Sequence, residues 1–449
     1  MTAMRSLFAV TCAALLLAGC STVSDLNPFG GDGSRRDPNA PPEEDRISIL
    51  QFEQQLEVAD NTAPVTLPPA YVNTVWPQAE GYPTHNLQHT QATGSLSVAW
   101  RRSFGSGSAR SRRINARPVI ADGRVYVVDS EGKVVAMDAE TGQEIWTHRL
   151  RSESRRDRMS FGGGLGFDSG RLYVHSGFRF MVALDAATGT EVWRTTADTP
   201  FQSAPTINAG RVFITTDDNQ LYAFDSNTGE FLWSHQGIIE SARLLTGASP
   251  AVLGDLVVAP YSSGEVVAIR VQNGNPVWSD SLTRAGGLTP ISAINDVAGS
   301  PVMTEDNVYA LSHSGTLVSL DMRSGERQWT LPAGGLNAPW IAGDYLFLVT
   351  VEGEVICVDR TVGEVRWITR LRVFEHETRR RNRISWVGPV LAGGRLFLTS
   401  STGDSVIIDA ATGDIERDFS LRDPVFVAPV IANETIYVVT DEGRLIALR

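Results

Sequence analysis

A short pattern of Asp, three residues, Gly, three residues and Trp recurs along this chain of 449 residues and restricts what it can fold into. Complete copies end at Trp146, Trp193, Trp233, Trp329 and Trp367. The copy ending at Trp278 has Arg270 in place of the aspartate, and a seventh copy has Arg417 in place of the tryptophan. The tryptophans follow one another at intervals of 47, 40, 45, 51 and 38 residues. A period of roughly 40–50 residues is typical of one supersecondary unit stacked many times.

Each copy predicts a β-hairpin with further strands beside it. In the first copy, the alternating runs Arg124 to Val128 and Lys133 to Met137 flank a polar turn. Asp138 then begins a second turn, in which Gly142 supplies a positive φ without steric cost, and a third run carries Trp146. A proline-containing inner run precedes these strands. Four short antiparallel strands per repeat make one blade of a β-propeller.

Counting the blades predicts how the ring closes. After the seventh copy, the runs between Val425 and Leu448 supply three strands but no outer one. The run Leu96 to Trp100 precedes the first full unit and can supply the missing strand. We therefore predict an all-β fold, an eight-bladed β-propeller of four-stranded antiparallel blades closed by an N-terminal strand. The tryptophans should wedge between blades, whereas Arg417 should have no such role.

The N-terminal quarter predicts targeting and attachment rather than fold. We divide the chain into a lipoprotein signal peptide (1–19), a flexible tether (20–45), an N-terminal wrapping segment (46–94) and the propeller (95–449). The sequence Leu17-Ala18-Gly19-Cys20 resembles the bacterial lipoprotein signal, which would make Cys20 the acylated terminus. The alternative is an ordinary secretory signal in which Cys20 is incidental. Ser21 after the cysteine favours, by the same resemblance, sorting to the outer membrane.

No group of residues predicts catalysis, a metal or a cofactor. With Cys12 in the signal and Cys20 acylated, Cys357 is the remaining thiol, and its apolar neighbours indicate a buried strand. His85 and His89 are four apart but have no third ligand near them in sequence, so we expect structural roles. The glycine-rich run 162–166 indicates an inner strand rather than a phosphate-binding loop. A net charge of −12 argues against nucleic acid as a partner.

The connectors between an outer strand and the next inner strand are the more informative segments. Two are basic, Arg149 to Arg158 and Arg370 to Arg383, and two are long, Gln236 to Ala248 and Asp280 to Gly299. The long ones carry apolar residues, among them Ile238, Ile239, Leu288, Ile291 and Ile294. All should emerge on one face, and insertions on one face of a repeat protein mark its binding face. The basic runs are either solvated loops or a docking surface for anionic lipid headgroups or an acidic partner.

The lipoprotein signal, the tether and the eight Asp-x-x-x-Gly-x-x-x-Trp blades together resemble the BamB family of outer-membrane protein assembly lipoproteins. That resemblance implies a non-enzymatic scaffold of the β-barrel assembly machinery, present as a monomer in the complex and bound to the periplasmic POTRA domains of BamA. It also implies attachment to the periplasmic face of the outer membrane through the lipid on Cys20, without any cofactor.

The resemblance further implies where the partner binds. Family residues in two neighbouring connectors correspond here to Leu244 and Leu245, without the family's arginine, and to Asp296 and Val297, of which Asp296 keeps the family's residue. The blade motif alone is shared with pyrroloquinoline-quinone dehydrogenases, and such an enzyme is the first alternative. A vicinal cysteine pair and a Glu/Asn/Asp calcium site, both implied by that second resemblance, have no counterpart here. A lipoprotein that binds cell-wall polymer is the second alternative.

Overall fold

The computed structural model of the protein describes residues 56–60, 63–92, 94–152, 163–240, 244, 247–283 and 294–449. The predicted signal peptide and tether, with Cys20, lie outside these residues. The described part of the chain contains thirty-four strands and one short 3-10 helix, Glu377–Arg379. Within those residues, no helix has the length and apolar character that crossing a membrane would require.

The strands form eight four-stranded antiparallel sheets, each running from an inner strand at the axis to an outer strand at the rim. Blade 1 consists of β2 (Val119–Ala121), β3 (Arg124–Val128), β4 (Lys133–Asp138) and β5 (Glu144–Arg149). Blade 2 consists of β6 (Gly164–Asp168), β7 (Arg171–His175), β8 (Phe180–Asp185) and β9 (Glu191–Thr196). Blade 3 consists of β10 (Thr206–Asn208), β11 (Arg211–Thr215), β12 (Gln220–Asp225) and β13 (Phe231–Gln236). Blade 4 consists of β14 (Ala251–Leu253), β15 (Leu256–Pro260), β16 (Glu265–Arg270) and β17 (Pro276–Ser281).

The remaining blades repeat this order, with one exception at the end. Blade 5 consists of β18 (Gly299–Met303), β19 (Asn307–Leu311), β20 (Leu317–Asp321) and β21 (Arg327–Leu331). Blade 6 consists of β22 (Trp340–Ala342), β23 (Tyr345–Val349), β24 (Glu354–Asp359) and β25 (Glu364–Arg370), and a small hairpin of β26 (Phe374–His376) and β27 (Arg381–Arg383) follows it. Blade 7 consists of β28 (Trp386–Ala392), β29 (Arg395–Ser400), β30 (Asp404–Asp409) and β31 (Ile415–Ser420). Blade 8 joins β32 (Val430–Ala432), β33 (Thr435–Val439) and β34 (Arg444–Leu448) to β1 (Val98–Ser103).

Antiparallel pairing gives the ring two distinct faces. In blade 1, Arg124 pairs with both Ala121 and Asp138, so the first and third turns of the blade lie on one side, here called the turn face. On the other side, Lys133 pairs with Arg149, where the outer strand ends and the connector to the next blade begins. We call this side the connector face. Every blade repeats this pattern, which brings the connectors together on one face.

The repeated tryptophan and glycine act together across the boundary between blades. The indole of Trp146 donates a hydrogen bond of 3.0 Å to the carbonyl of Ala186 in blade 2. It also lies directly over Gly189, where a Cβ would come within 2.6 Å of the ring. The same indole-to-carbonyl bond recurs at Trp193, Trp233, Trp278, Trp329 and Trp367. The glycine of the repeat therefore provides both the turn and the space for the preceding blade's tryptophan.

The N-terminal strand closes the ring as predicted. β1 pairs with β34 from Val98 opposite Leu448 to Ser103 opposite Arg444. Its Trp100 packs against Gly142 of blade 1 and so fills the boundary between blades 8 and 1. Arg417 differs from our expectation, because its guanidinium donates a 3.1 Å hydrogen bond to the carbonyl of Leu96 and lies over the ring of Phe419. An arginine thus reaches the next blade where the other repeats use an indole.

Candidate partner-binding site

The structure brings the two long connectors of blades 3 to 5 into contact on the connector face. The backbone N–H of Leu244 donates a 2.9 Å hydrogen bond to a carboxylate oxygen of Asp296, across 52 residues of sequence. The carbonyl of Leu244 accepts a 3.2 Å hydrogen bond from the amide of Gln202 in blade 3. Leu245 lies outside the described residues. The predicted proximity of the two segments is therefore a property of the fold.

The carboxylate of Asp296 faces inward rather than toward solvent. Asp296 is 4% exposed, and its carbonyl accepts a 2.9 Å hydrogen bond from the N–H of His313. Val297 is 1% exposed and belongs to the core between blades 4 and 5, together with Leu282 and Met303. In this arrangement Asp296 organises the connector by holding Leu244, and Val297 anchors the segment in the core.

The apolar surface of this region comes from two isoleucines ahead of Leu244. Ile238 and Ile239 are 58% and 68% exposed, although the chain that carries them is held in place. The N–H of Ile238 donates to a carboxylate oxygen of Glu265 at 2.9 Å, and its carbonyl accepts a hydrogen bond from Asn219. Adjacent exposed apolar side chains on a fixed backbone are the type of feature that a protein partner buries.

The opposite, turn face is closed by residues 73–90, which we call the inner belt. Its backbone and side chains contact the eight blades one after another in ring order. The bonded residues are Asn433 of blade 8, Ile120 of blade 1, Phe167 of blade 2, Ile207 of blade 3, Val252 of blade 4, Met303 of blade 5, Trp340 of blade 6 and Gly393 of blade 7. We predicted a wrapping segment over residues 46–94; within it, the belt makes one circuit around the axis of the propeller.

Side chains of the inner belt also fill the axis. Trp76 is 1% exposed and stacks on Trp340 of blade 6 with the ring centroids 6.2 Å apart. One carboxylate oxygen of Glu80 pairs with Arg117 of blade 1, and the other accepts a 3.0 Å hydrogen bond from Ser300 of blade 5. Blades 1 and 5 are diametrically opposed in a ring of eight, so this carboxylate lies at the centre and joins the two sides.

Both belt histidines are bound to backbone groups. Nδ1 of His85 lies 2.7 Å from the carbonyl oxygen of Pro301, and burial lowers the pKa of this imidazole. His89 lies between the carbonyl of Pro68, 2.6 Å from Nδ1, and the N–H of Gly394, which donates to Nε2 at 2.8 Å. Among the described residues, no cluster of three or more His, Cys, Asp or Glu is arranged to hold a metal ion.

The glycine-rich run and the thiol have structural surroundings. β6 is the inner strand of blade 2, and a Cβ on Gly164 would come within 2.4 Å of the Cα of Ala204, while one on Gly166 would come within 2.3 Å of Ile207. Glycine is therefore required because the neighbouring inner strand approaches closely. Cys357 is fully buried in β24, and burial raises the pKa of its thiol.

The blade pattern defines the class of this protein: an eight-bladed propeller of the pyrroloquinoline-quinone type of repeat. The family model described as outer membrane protein assembly factor BamB matches residues 154–369 and 374–449. A model described as the β-propeller domain of glucose, ethanol and alcohol dehydrogenases matches only residues 78–167. The match to the first model covers more than half of the chain, and the chain belongs to the BamB family of outer-membrane protein assembly factors.

Individual relatives agree with this assignment. The BamB of Burkholderia pseudomallei is 27% identical over 355 residues, covering 78% of this chain and 87% of that protein. The BamB of Moranella endobia is 26% identical over 257 residues, covering 56% of this chain and 66% of that protein. The crystal structure of BamB from Moraxella catarrhalis matches with a TM-score of 0.68 at 18% identity, over 79% of this chain and 100% of that one. The structural match supports the fold.

Proposed function

We propose that this protein is a non-enzymatic scaffold of the outer-membrane β-barrel assembly machinery, bound to the POTRA domains of BamA. Membership of the BamB family supports a role in outer-membrane protein assembly. The sequence argues against the dehydrogenase alternative, since its three cysteines, at positions 12, 20 and 357, cannot form an adjacent pair. The inner belt adds a second argument, because Trp76 and Glu80 occupy the axis of the ring.

The docking site we propose consists of the connectors on either side of blade 4. The observation that carries it is the hydrogen bond from Leu244 to Asp296, which joins the two connectors while Ile238 and Ile239 stay exposed. In this proposal the isoleucines and the leucines at 244 and 245 supply the apolar contact. Asp296 and Val297 are buried and hold the backbone beneath this apolar surface in place. Such a surface suits a partner that adds an extended edge and buries a few apolar anchors.

A paired substitution tests this site. The variant Ile238→Ser with Ile239→Ser should lose co-purification of BamA, because it removes the exposed apolar anchors. Its melting temperature should stay nearly unchanged, since exposed substitutions are usually within about 0.5 kcal/mol of neutral. The matched control is Ile145→Ser with Val192→Ser, two similarly exposed residues on the outer strands of blades 1 and 2.

The outcomes separate the three functions under consideration. Retention of BamA by the Ile238 and Ile239 variant, or equal loss from the control, would place the partner site elsewhere on the ring. Affinity purification of the native protein from membranes provides the wider comparison. Barrel-assembly subunits should accompany it; a bound quinone or peptidoglycan in their place would support the dehydrogenase or the cell-wall alternative.

A further inference from the structure

The hairpin after blade 6 is a second feature of the connector face that the proposed BamA site does not explain. It consists of β26, the 3-10 helix Glu377–Arg379 and β27, and we call residues 374–383 the arginine hairpin. Every residue from Glu375 to Arg383 is exposed. The hairpin carries four arginines and two glutamates, in a chain whose overall charge is −12. Its charge is therefore opposite to that of the protein as a whole.

The arginines at the base and at the tip of this region have different partners. At the base, Arg370 pairs with Glu354 at 3.1 Å, Arg372 with Asp404 at 2.7 Å, and Arg383 with Glu352 at 3.1 Å. At the tip, Arg379, Arg380 and Arg381 have no carboxylate within ion-pairing distance among the residues that the structure describes. Three consecutive guanidinium groups are thus available to an external anion.

Arg380 of the tip and the backbone around it are held in a defined shape. The guanidinium carbon of Arg380 lies 5.4 Å from the centroid of the Phe374 ring, and that of Arg383 at the base lies 5.9 Å from the same centroid. Asn382 donates a 2.8 Å hydrogen bond to Glu375 across the hairpin. Arg380 and Asn382 both adopt left-handed backbone conformations, with φ of 46° and 57°. Guanidinium groups held in place bind phosphate oxygens with less loss of conformational freedom than flexible ones do.

The path of the N-terminal chain indicates which anion lies nearby. The N–H of Ala59 donates a 2.9 Å hydrogen bond to Val365 in β25, so the chain joins the propeller on the outer strand of blade 6. Val365 lies at the turn-face end of this strand, which crosses the rim of the blade to Arg370 on the connector face, just before the arginine hairpin. A flexible chain as long as the segment from Cys20 to position 55, which has 36 residues, has a root-mean-square span of about 30–35 Å. A lipid on Cys20 would therefore keep the rim of blade 6, and with it the arginine hairpin at the other end of β25, within reach of a bilayer.

We propose that the arginine hairpin docks on the phosphate headgroups of an anionic phospholipid surface. The argument for proximity rests on the proposed lipid at Cys20, whereas the headgroup contact itself does not depend on it. Basic residues near an anionic surface attract it electrostatically, and a tether strengthens such weak contacts by raising the local concentration. The hairpin would then orient the ring relative to the membrane.

The test uses protein without the lipid, so that it measures the hairpin alone. The Cys20→Ser chain is mixed with vesicles of phosphatidylglycerol and phosphatidylcholine, and binding is measured by co-sedimentation. Adding Arg379→Gln, Arg380→Gln and Arg381→Gln should weaken partitioning by about 100-fold, since each basic residue contributes roughly fivefold at low salt. The matched control, Arg102→Gln with Arg110→Gln and Arg323→Gln, removes the same charge from exposed sites elsewhere and should bind much as the parent does.

Three results would overturn the proposal. They are unchanged binding of the hairpin variant, equal loss from the control, and equal binding to pure phosphatidylcholine. A hairpin variant that keeps its vesicle affinity but loses the barrel-assembly subunits would instead assign the tip to an acidic protein partner. Because the assay uses unlipidated chain, an error in the proposed anchor would appear in membrane fractionation and leave this result unaffected.

Discussion

At the scale of single residues, the turn glycine of each repeat has two separable roles. Gly189 has a φ of +74°, and a Cβ there would meet the indole of Trp146 at 2.6 Å. Gly170 has a similar φ of +78°, but a Cβ there would have no neighbour within 4 Å. Substitutions at Gly170 and Gly189 therefore separate the cost of a left-handed backbone conformation from the cost of displacing the Trp146 indole.

We expect Gly170→Ala to cost about 1–2 kcal/mol, the penalty for a left-handed residue with a side chain. Gly189→Ala should cost roughly 1–3 kcal/mol more, because the added methyl group overpacks the boundary between blades. Chemical denaturation of the two variants measures the difference. Equal losses of unfolding free energy would show that Trp146 moves aside at no cost in free energy and that Gly189 is needed only for the turn.

The buried imidazole of His175 leads to a prediction about how the stability of the fold changes at acidic pH. Its Nε2 donates to the carbonyl of Ser203 at 2.7 Å and its Nδ1 accepts from the N–H of Gly177 at 3.2 Å, so the ring must be neutral. Burial lowers the pKa of His175 to about 4. The unfolded chain, with a pKa near 6.5, therefore binds more protons between these values, and the neutral ring's contribution to stability falls as pH drops through this window.

The expected loss from this residue between pH 7 and pH 5 is about 2 kcal/mol. His175→Gln keeps a donor and an acceptor but cannot take up a proton. The stability of the native protein should therefore fall more steeply on acidification than that of the variant, as measured by urea unfolding at the two pH values. Parallel pH profiles would exclude His175 as a source of acid sensitivity.

Asp296 shows what residue patterns could and could not predict at the candidate site. The repeat frame is regular, so connectors of successive blades had to lie side by side, and the bond from Leu244 to Asp296 agrees with this. The inward direction of the carboxylate depends on how an irregular connector packs, and no periodicity encodes that. Arg417 is similar, because its partner, the carbonyl of Leu96, lies 321 residues away in sequence.

At the scale of elements, β1 completes blade 8 and covers the free edge of β34. Deleting residues 20–105 removes this strand and the inner belt, which should expose that edge and cause aggregation or a broad melting transition. Deleting only residues 20–55 is the matched control, since it spares both elements. Differential scanning calorimetry compares the two. A longer deletion that still melts sharply at the native temperature would show that closure does not need the N-terminal strand.

The elements were predictable to the extent that they repeat. The eight blades, their four strands and the strand that closes them follow from the Asp-x-x-x-Gly-x-x-x-Trp frame and from a count of unpaired strands. The inner belt has no repeat and no regular secondary structure, because its bonding groups face eight different inner strands. Its buried Trp76, Glu80 and His85 could be recognised in the sequence only as isolated residues.

At the scale of the whole molecule, the proposed attachment to the membrane uses Cys20, a residue outside the described structure. We expect Cys20→Ser to release the protein into the soluble periplasmic fraction, because the proposed acyl anchor would be absent. Fractionation of cells followed by immunoblotting checks this. If the variant stays with the membrane fraction at native abundance, acylation is not the attachment, and either the BamA site or the arginine hairpin must suffice.

The inner belt also determines when this molecule can complete its folding. Residues 73–90 are synthesised early, yet they form hydrogen bonds with Gly393 and Asn433. Likewise, β1 pairs with a strand that ends at Leu448. A ribosome delivers the first partner some 350 residues before the last, so most of the blades exist before any of these bonds can be complete. Until β34 pairs with β1, the incomplete ring has an unpaired strand edge. A nascent chain of this protein should therefore depend on holding factors until its final strand arrives, and a chain that stops short of β34 should be recognised as unfinished.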